Sequence, residues 1–173
     1  MDDALKLRHF ILAKKWDEVD EYLEKGDLKA CKLIDEADMC FGNSTVLHHA
    51  AEKNMPPYIW VKLFNALQNG MGIDIKEFCN IKDNFYCNTA LHVAAKSSSD
   101  ETAFICLSVF CDINSKNITG PFRTEMKDYV TNTALDVLNS KRDPSLSFSS
   151  TERFRSILTS VRSSFVSPPP PRD

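Results

Sequence analysis

Four histidines and six cysteines give this 173-residue chain its widest chemical reach. A neutral imidazole can act as a general base or a metal ligand, and a thiolate as a nucleophile or a soft ligand. The spacing argues against both uses. Cys31, Cys40, Cys79, Cys87, Cys106 and Cys111 contain no C-x-x-C pair, the usual half of a zinc site. The start, Met1-Asp2-Asp3, is acidic where a secretory leader needs a basic region. Reduced thiols in the cytoplasm or nucleus are therefore expected rather than disulfides. No G-x-S-x-G, P-loop, dinucleotide turn or H-E-x-x-H is present. The expectation is a non-enzyme, with no catalytic residues, no metal, no cofactor and no small-molecule substrate.

Two of the histidines, His48 and His92, are instead placed alike in a repeated stretch. Asn88-Thr89-Ala90-Leu91-His92-Val93-Ala94-Ala95 matches Ser44-Thr45-Val46-Leu47-His48-His49-Ala50-Ala51. A third copy, Asn132-Thr133-Ala134-Leu135-Asp136-Val137-Leu138, puts Asp136 in the histidine position. Thr45, Thr89 and Thr133 are spaced by 44 and again by 44 residues. A fixed period of this size predicts stacked supersecondary units rather than a single undivided core. Leu47, Leu91 and Leu135 belong in that core, and the paired alanines let neighbouring inner helices approach closely.

The pattern Thr-x-Leu-His-x-Ala-Ala resembles the T-P-L-H-x-A-A signature of ankyrin repeats, with Val46 and Ala90 where proline is usual. The ordinary unit runs to about 33 residues, so each interval here carries roughly eleven extra. The resemblance implies an all-α ankyrin-repeat solenoid of stacked helix pairs with hairpin-like finger loops, about four units including caps. The units would be residues 4–37, 38–81, 82–125 and 126–165, within a domain of residues 1–165. It also implies structural roles for Thr45, His48, Thr89, His92, Thr133 and Asp136. The histidine ring would bond backbone near the finger and tie one unit to the next; Asp136 could accept, but not donate, a comparable bond. His49, one position round the helix, is expected to be partly exposed.

Along the chain, residues 3–25 read as two short helices ending at Gly26. Residues 27–43 are a long connection in which Gly42 and Asn43 tolerate positive φ. The second unit has an inner helix from Val46 and an outer helix opened by Pro56 and Pro57. Its buried stripe is Ile59, Trp60, Leu63, Phe64 and Leu67. Its extra residues fall at 70–78, as a lengthened helix end or an extra turn. The third unit has an outer helix capped by Asp100 and carrying Ala103, Phe104, Leu107 and Phe110. Its extra residues fall in a finger over residues 116–128, where Gly120-Pro121 signals a turn. The last unit starts an inner helix at Thr133 and ends on a helix with Phe154, Ile157, Leu158, Val161 and Phe165. Residues 166–173 form a Pro-rich tail or linker, extended by its four prolines. A linker or disordered end is one reading of it, an SH3 or WW ligand the other.

What the resemblance implies for binding lies at the finger tips and at the inner-helix ends. Carried over by position, the partner-binding set is Phe41, Ser44, Lys53, Phe85, Tyr86, Asn88, Lys96, Phe122, Tyr129, Asn132 and Lys141. Aromatics recur at this register, which suits interface anchors; the other reading is that they pack beneath the long fingers. Lys53, Lys96 and Lys141 give a lysine edge for an acidic partner, or else an ordinary solvated face. A net charge of -3 provides no global attraction to nucleic acid or anionic lipid, and no apolar run approaches a membrane span. The expected function is binding of a partner protein or peptide by a monomer. The alternative is a targeting or autoinhibitory domain of a larger protein, and nucleic-acid binding ranks below both.

Overall fold

The computed structural model describes residues 3–34, 42–84, 86–97, 102–112, 115–119, 130–133 and 137. Over these the chain is mostly helical. Its helices are α1 (Lys6–Leu12), α2 (Trp16–Lys25), α3 (Val46–Glu52), α4 (Pro57–Asn65), α5 (Ile75–Cys79), α6 (Ala90–Ser97) and α7 (Thr102–Ser108). Two short strands follow, β1 (Lys116–Thr119) and β2 (Val130–Thr133).

The first helices form because apolar residues recur at helical spacing and stop signals intervene. After α1, Lys14 takes a left-handed φ of 54° and the Lys15 amide bonds back to the Phe10 carbonyl at 2.9 Å. After α3, Asn54 does the same at φ 59°, and the Met55 amide bonds the Ala50 carbonyl at 3.1 Å. These left-handed stops satisfy carbonyls that the ending helix would leave open. Pro57 occupies the first turn of α4, where its missing N–H removes no helix bond.

The helices pack in two rows. In the inner row α1 contacts α3, and α3 contacts α6; in the outer row α2 contacts α4, and α4 contacts α7. The rows are joined within each pair, α1 to α2 and α6 to α7. Small residues make the inner row possible: Ala50, Ala51, Ala94 and Ala95 are all buried. The outer row is filled by large side chains. Ile59, Trp60, Leu63, Phe64 and Leu67 are each fully buried, so the stripe read from the sequence is core. Phe64 lies between Trp60, at 5.6 Å between ring centroids, and Phe110, at 5.1 Å and edge-on. Lys62 of α4 donates to Asp20 and, at 2.9 Å, to Glu24 of α2. Those carboxylates, Asp20 first, push its ammonium up to about 12.

Both insertions have visible roots. After α4 the helix widens into a π turn over Ala66–Gly70, reverses through Gly72 at φ 68°, and starts α5 with Asp74 accepting from the Glu77 amide. Ile75, Phe78 and Cys79 of α5 are buried in the main core. Beyond α7, β1 pairs antiparallel with β2 in the register Lys116↔Thr133, Asn117↔Asn132, Ile118↔Thr131 and Thr119↔Val130. The expected finger thus reaches back to Thr133, the last residue of β2. An isolated bridge, Ile34↔Thr45, repeats this arrangement at the root of the first finger.

Candidate functional site

The site begins with the repeated threonine. Thr45 caps α3: its Oγ1 accepts from the Leu47 amide at 3.2 Å. Its own amide donates to His48 Nδ1 at 3.0 Å, and its hydroxyl lies 3.0 Å from the same nitrogen. With Nδ1 accepting, Nε2 carries the proton and donates to the Asn88 carbonyl at 2.8 Å. One ring therefore joins the start of α3 to the turn before α6, forty residues along the chain. Burial holds His48 below the ordinary imidazole range and outweighs the Asn88 bond and the Asp83 charge, which act the other way. The ring is favoured in its neutral form, with both nitrogens engaged, and rivets the two turns together. Thr89 and His92 repeat the local half: the Thr89 amide donates to His92 Nδ1 at 3.3 Å and the hydroxyl lies at 2.9 Å.

The turn before α6 is organised by one carboxylate. Asp83 Oδ1 accepts from the amides of Tyr86, at 2.9 Å, and Asn88, at 3.1 Å. The Asp83 amide donates to the Asn88 carbonyl at 2.9 Å, closing the loop. The neighbouring turn is stitched to it: Asn84 N donates to the Gly42 carbonyl at 2.8 Å, and Asn43 Nδ2 to Asn84 Oδ1 at 3.1 Å. Asn43 has φ 63°, as its residue type allows, and Cys87 has φ 53°. Each stands two residues before its threonine. Cysteine gives no hint of a left-handed residue, so only the register with Asn43 could have found it.

The predicted surface residues divide. Tyr86 and Asn88 are half-buried on the Asp83 turn, and exposed Lys96 lies at the end of α6. Lys96 Nζ sits 5.8 Å from the centre of the Tyr86 ring, so the structure brings these two together. Lys53 lies at the end of α3, with its Nζ 3.9 Å from Glu52. Ser44 is a correction: it is buried at 7% exposure, tucked beside the cap it precedes, and presents no surface. His49, expected to be partly exposed, is equally buried. Asn132 and Thr133 lie in β2, and Val137 is helical. Phe41, Phe85, Asp100, Phe122, Tyr129, Asp136 and Lys141, with the tail, lie outside the described residues. Sequence reasoning missed Tyr58, the first large side chain of α4, which is half exposed.

Among the described residues, no three of the His, Cys, Asp or Glu side chains are grouped to hold a metal ion. No helix among them is long and apolar enough to cross a membrane. No protein-family model matches the chain, and no curated protein matches it.

Proposed function

We propose that the chain is a protein–protein interaction module of the ankyrin-repeat type, gripping a partner protein or peptide with its finger tips and inner-helix face and performing no reaction of its own. The observation that carries this reading is the Tyr86–Lys96 pair. An aromatic ring is held by an Asp83-centred turn, beside the end of an inner helix, with an ammonium over its face. Rigid aromatic anchors next to a cation are what interface hot spots favour. The two rows of helices and the Thr-x-x-His rivets support the same reading, because they leave the turns and inner-helix ends as the outward features of each unit.

The charge pattern refines the expected partner. Counting from Thr45 and Thr89, Glu52 stands in register with Lys96 and Lys53 with Ser97. The lysine edge is therefore interrupted, and the face suits a partner of mixed charge better than nucleic acid.

The experiment is affinity capture with the wild-type chain and with Tyr86→Ala/Lys96→Ala, followed by titration of the purified partner. Circular dichroism establishes that both chains are folded. The double variant should bind at least about tenfold more weakly. Equal affinity for the folded variant would place recognition elsewhere.

A further inference from the structure

The π turn after α4 carries Asn69-Gly70, and no other asparagine of the chain precedes a glycine. A backbone nitrogen can attack the side-chain amide of an asparagine just before it, and glycine has no Cβ to hinder the approach. Gln68, Asn69 and Gly70 are all exposed. A Cβ added at Gly70 would meet no described atom within 4 Å. Other asparagine side chains are tied down: Asn80 Nδ2 donates to the Lys76 carbonyl at 2.7 Å, and Asn43 Nδ2 to Asn84 Oδ1 at 3.1 Å. Three backbone bonds span the Asn69–Gly70 link. The Met71 amide donates to the Ala66 carbonyl at 3.2 Å, Gly72 to Gln68 at 3.1 Å and Ile73 to Leu67 at 3.0 Å. They lead into α5, whose Ile75, Phe78 and Cys79 are buried.

We propose that Asn69 is a site of spontaneous deamidation, and that its isoaspartyl product loosens the turn that docks α5. The Gly70 nitrogen gives up its proton and bonds to Asn69 Cγ. The bond from Cγ to the side-chain nitrogen breaks, and ammonia leaves with that proton, closing a succinimide ring. Water then opens the ring. Cleavage at the side-chain carbonyl gives aspartate at position 69; cleavage at the main-chain carbonyl routes the chain through the side chain. By either path one amide and one water become one carboxylic acid and one ammonia. The second path adds a carbon to the backbone, so the three bonds across the link lose their register. Helical backbone holds the Asn69 side chain away from the following nitrogen, so the reaction waits on local opening of the π turn at the end of its helix.

The test incubates the full folded chain at neutral and at mildly alkaline pH, beside a sample unfolded in urea. Mass spectrometry scores the peptide containing Asn69 for replacement of its amide by an acid, and synthetic standards separate the two acid forms. Asn69 should convert in the folded chain before any other asparagine, more slowly than in urea, faster at the higher pH and chiefly to the isoaspartyl form. The thermal midpoint of the converted chain should fall by roughly 3 °C. Gly70→Ala, which has room for its methyl group, should stay folded and convert several-fold more slowly. Asn69→Asp carries the charge on a normal backbone and should keep the wild-type midpoint. A folded wild type that keeps the Asn69 amide while the urea sample converts would overturn the proposal. So would an unchanged midpoint after conversion, or an equal fall in Asn69→Asp.

Discussion

The two repeat intervals have the same length, yet their extra residues are used in opposite ways. After α4 the insertion turns back and becomes core, with Ile75, Phe78 and Cys79 buried. After α7 the insertion is rooted in a two-stranded ladder, and β1 pairs with β2. The first insertion leaves the end of an outer helix, α4, through a π turn. Ile75 and Phe78 lie three residues apart and so fall on one side of a single helical turn. The second leaves through Lys116 and Asn117 and returns through Thr131 and Asn132, paired across the ladder. A lone two-stranded ribbon is marginally stable in water. The same number of added residues thus gives buried scaffold in one interval and is rooted in a strand ladder in the other.

That contrast can be broken from the scaffold side. Phe78→Ala should destabilise the chain by about 3 kcal/mol, measured by denaturant unfolding, because it empties a buried ring site. A cost near zero would mean that α5 is ornament.

The rivet between the units should show the next largest effect. His48→Ala leaves the Asn88 carbonyl without its ring donor and should cost about 2 kcal/mol. The same side chain sets a pH response. Above pH 6.5, the ordinary imidazole value, neither folded nor unfolded ring binds a proton and the contribution vanishes. Below it the unfolded ring takes a proton that the buried ring refuses. Stability therefore falls as pH falls, by up to about 1.4 kcal/mol per pH unit, until the folded ring also protonates. The groups acting on the ring, beyond its own burial, are Asp83, His49 and His92. Urea titrations across this range should show the slope in wild type and a shallower one in His48→Ala.

The smallest effect belongs to the finger. Replacing residues 120–129 with Asn-Gly joins Thr119 to Val130 by a two-residue turn. The stability change should stay within about 1 kcal/mol. A larger loss would show that the second insertion, like the first, supports the core.

Much of the helical framework was legible in the sequence because it follows from periodicity and punctuation. The stripe from Ile59 to Leu67 has helical spacing, and the two prolines mark where its helix opens. The link from His48 to the next unit was legible through the resemblance, which implies a ring that bonds backbone near the finger; its contact back to the Thr45 cap was not read from the sequence. Other features depend on neighbours that local pattern does not encode. Ser44 reads as a surface position and His49 as a partly exposed one, yet both are buried. The fold of α5 rests on only five residues, too few for a periodic signal. Thr133 ends β2, and its partner in the ladder, Lys116, lies 17 residues earlier, beyond the reach of a local pattern.

The Thr45 amide has one more consequence. It donates to an imidazole rather than to a carbonyl, and that imidazole is held in turn by the turn preceding the next helix pair. Its exchange with deuterated solvent should therefore answer to both fraying of α3 and parting of the two pairs, and removing the ring that links them should speed it. A single proton at the head of a helix thus reports on its neighbour as well as on itself, readable without any label.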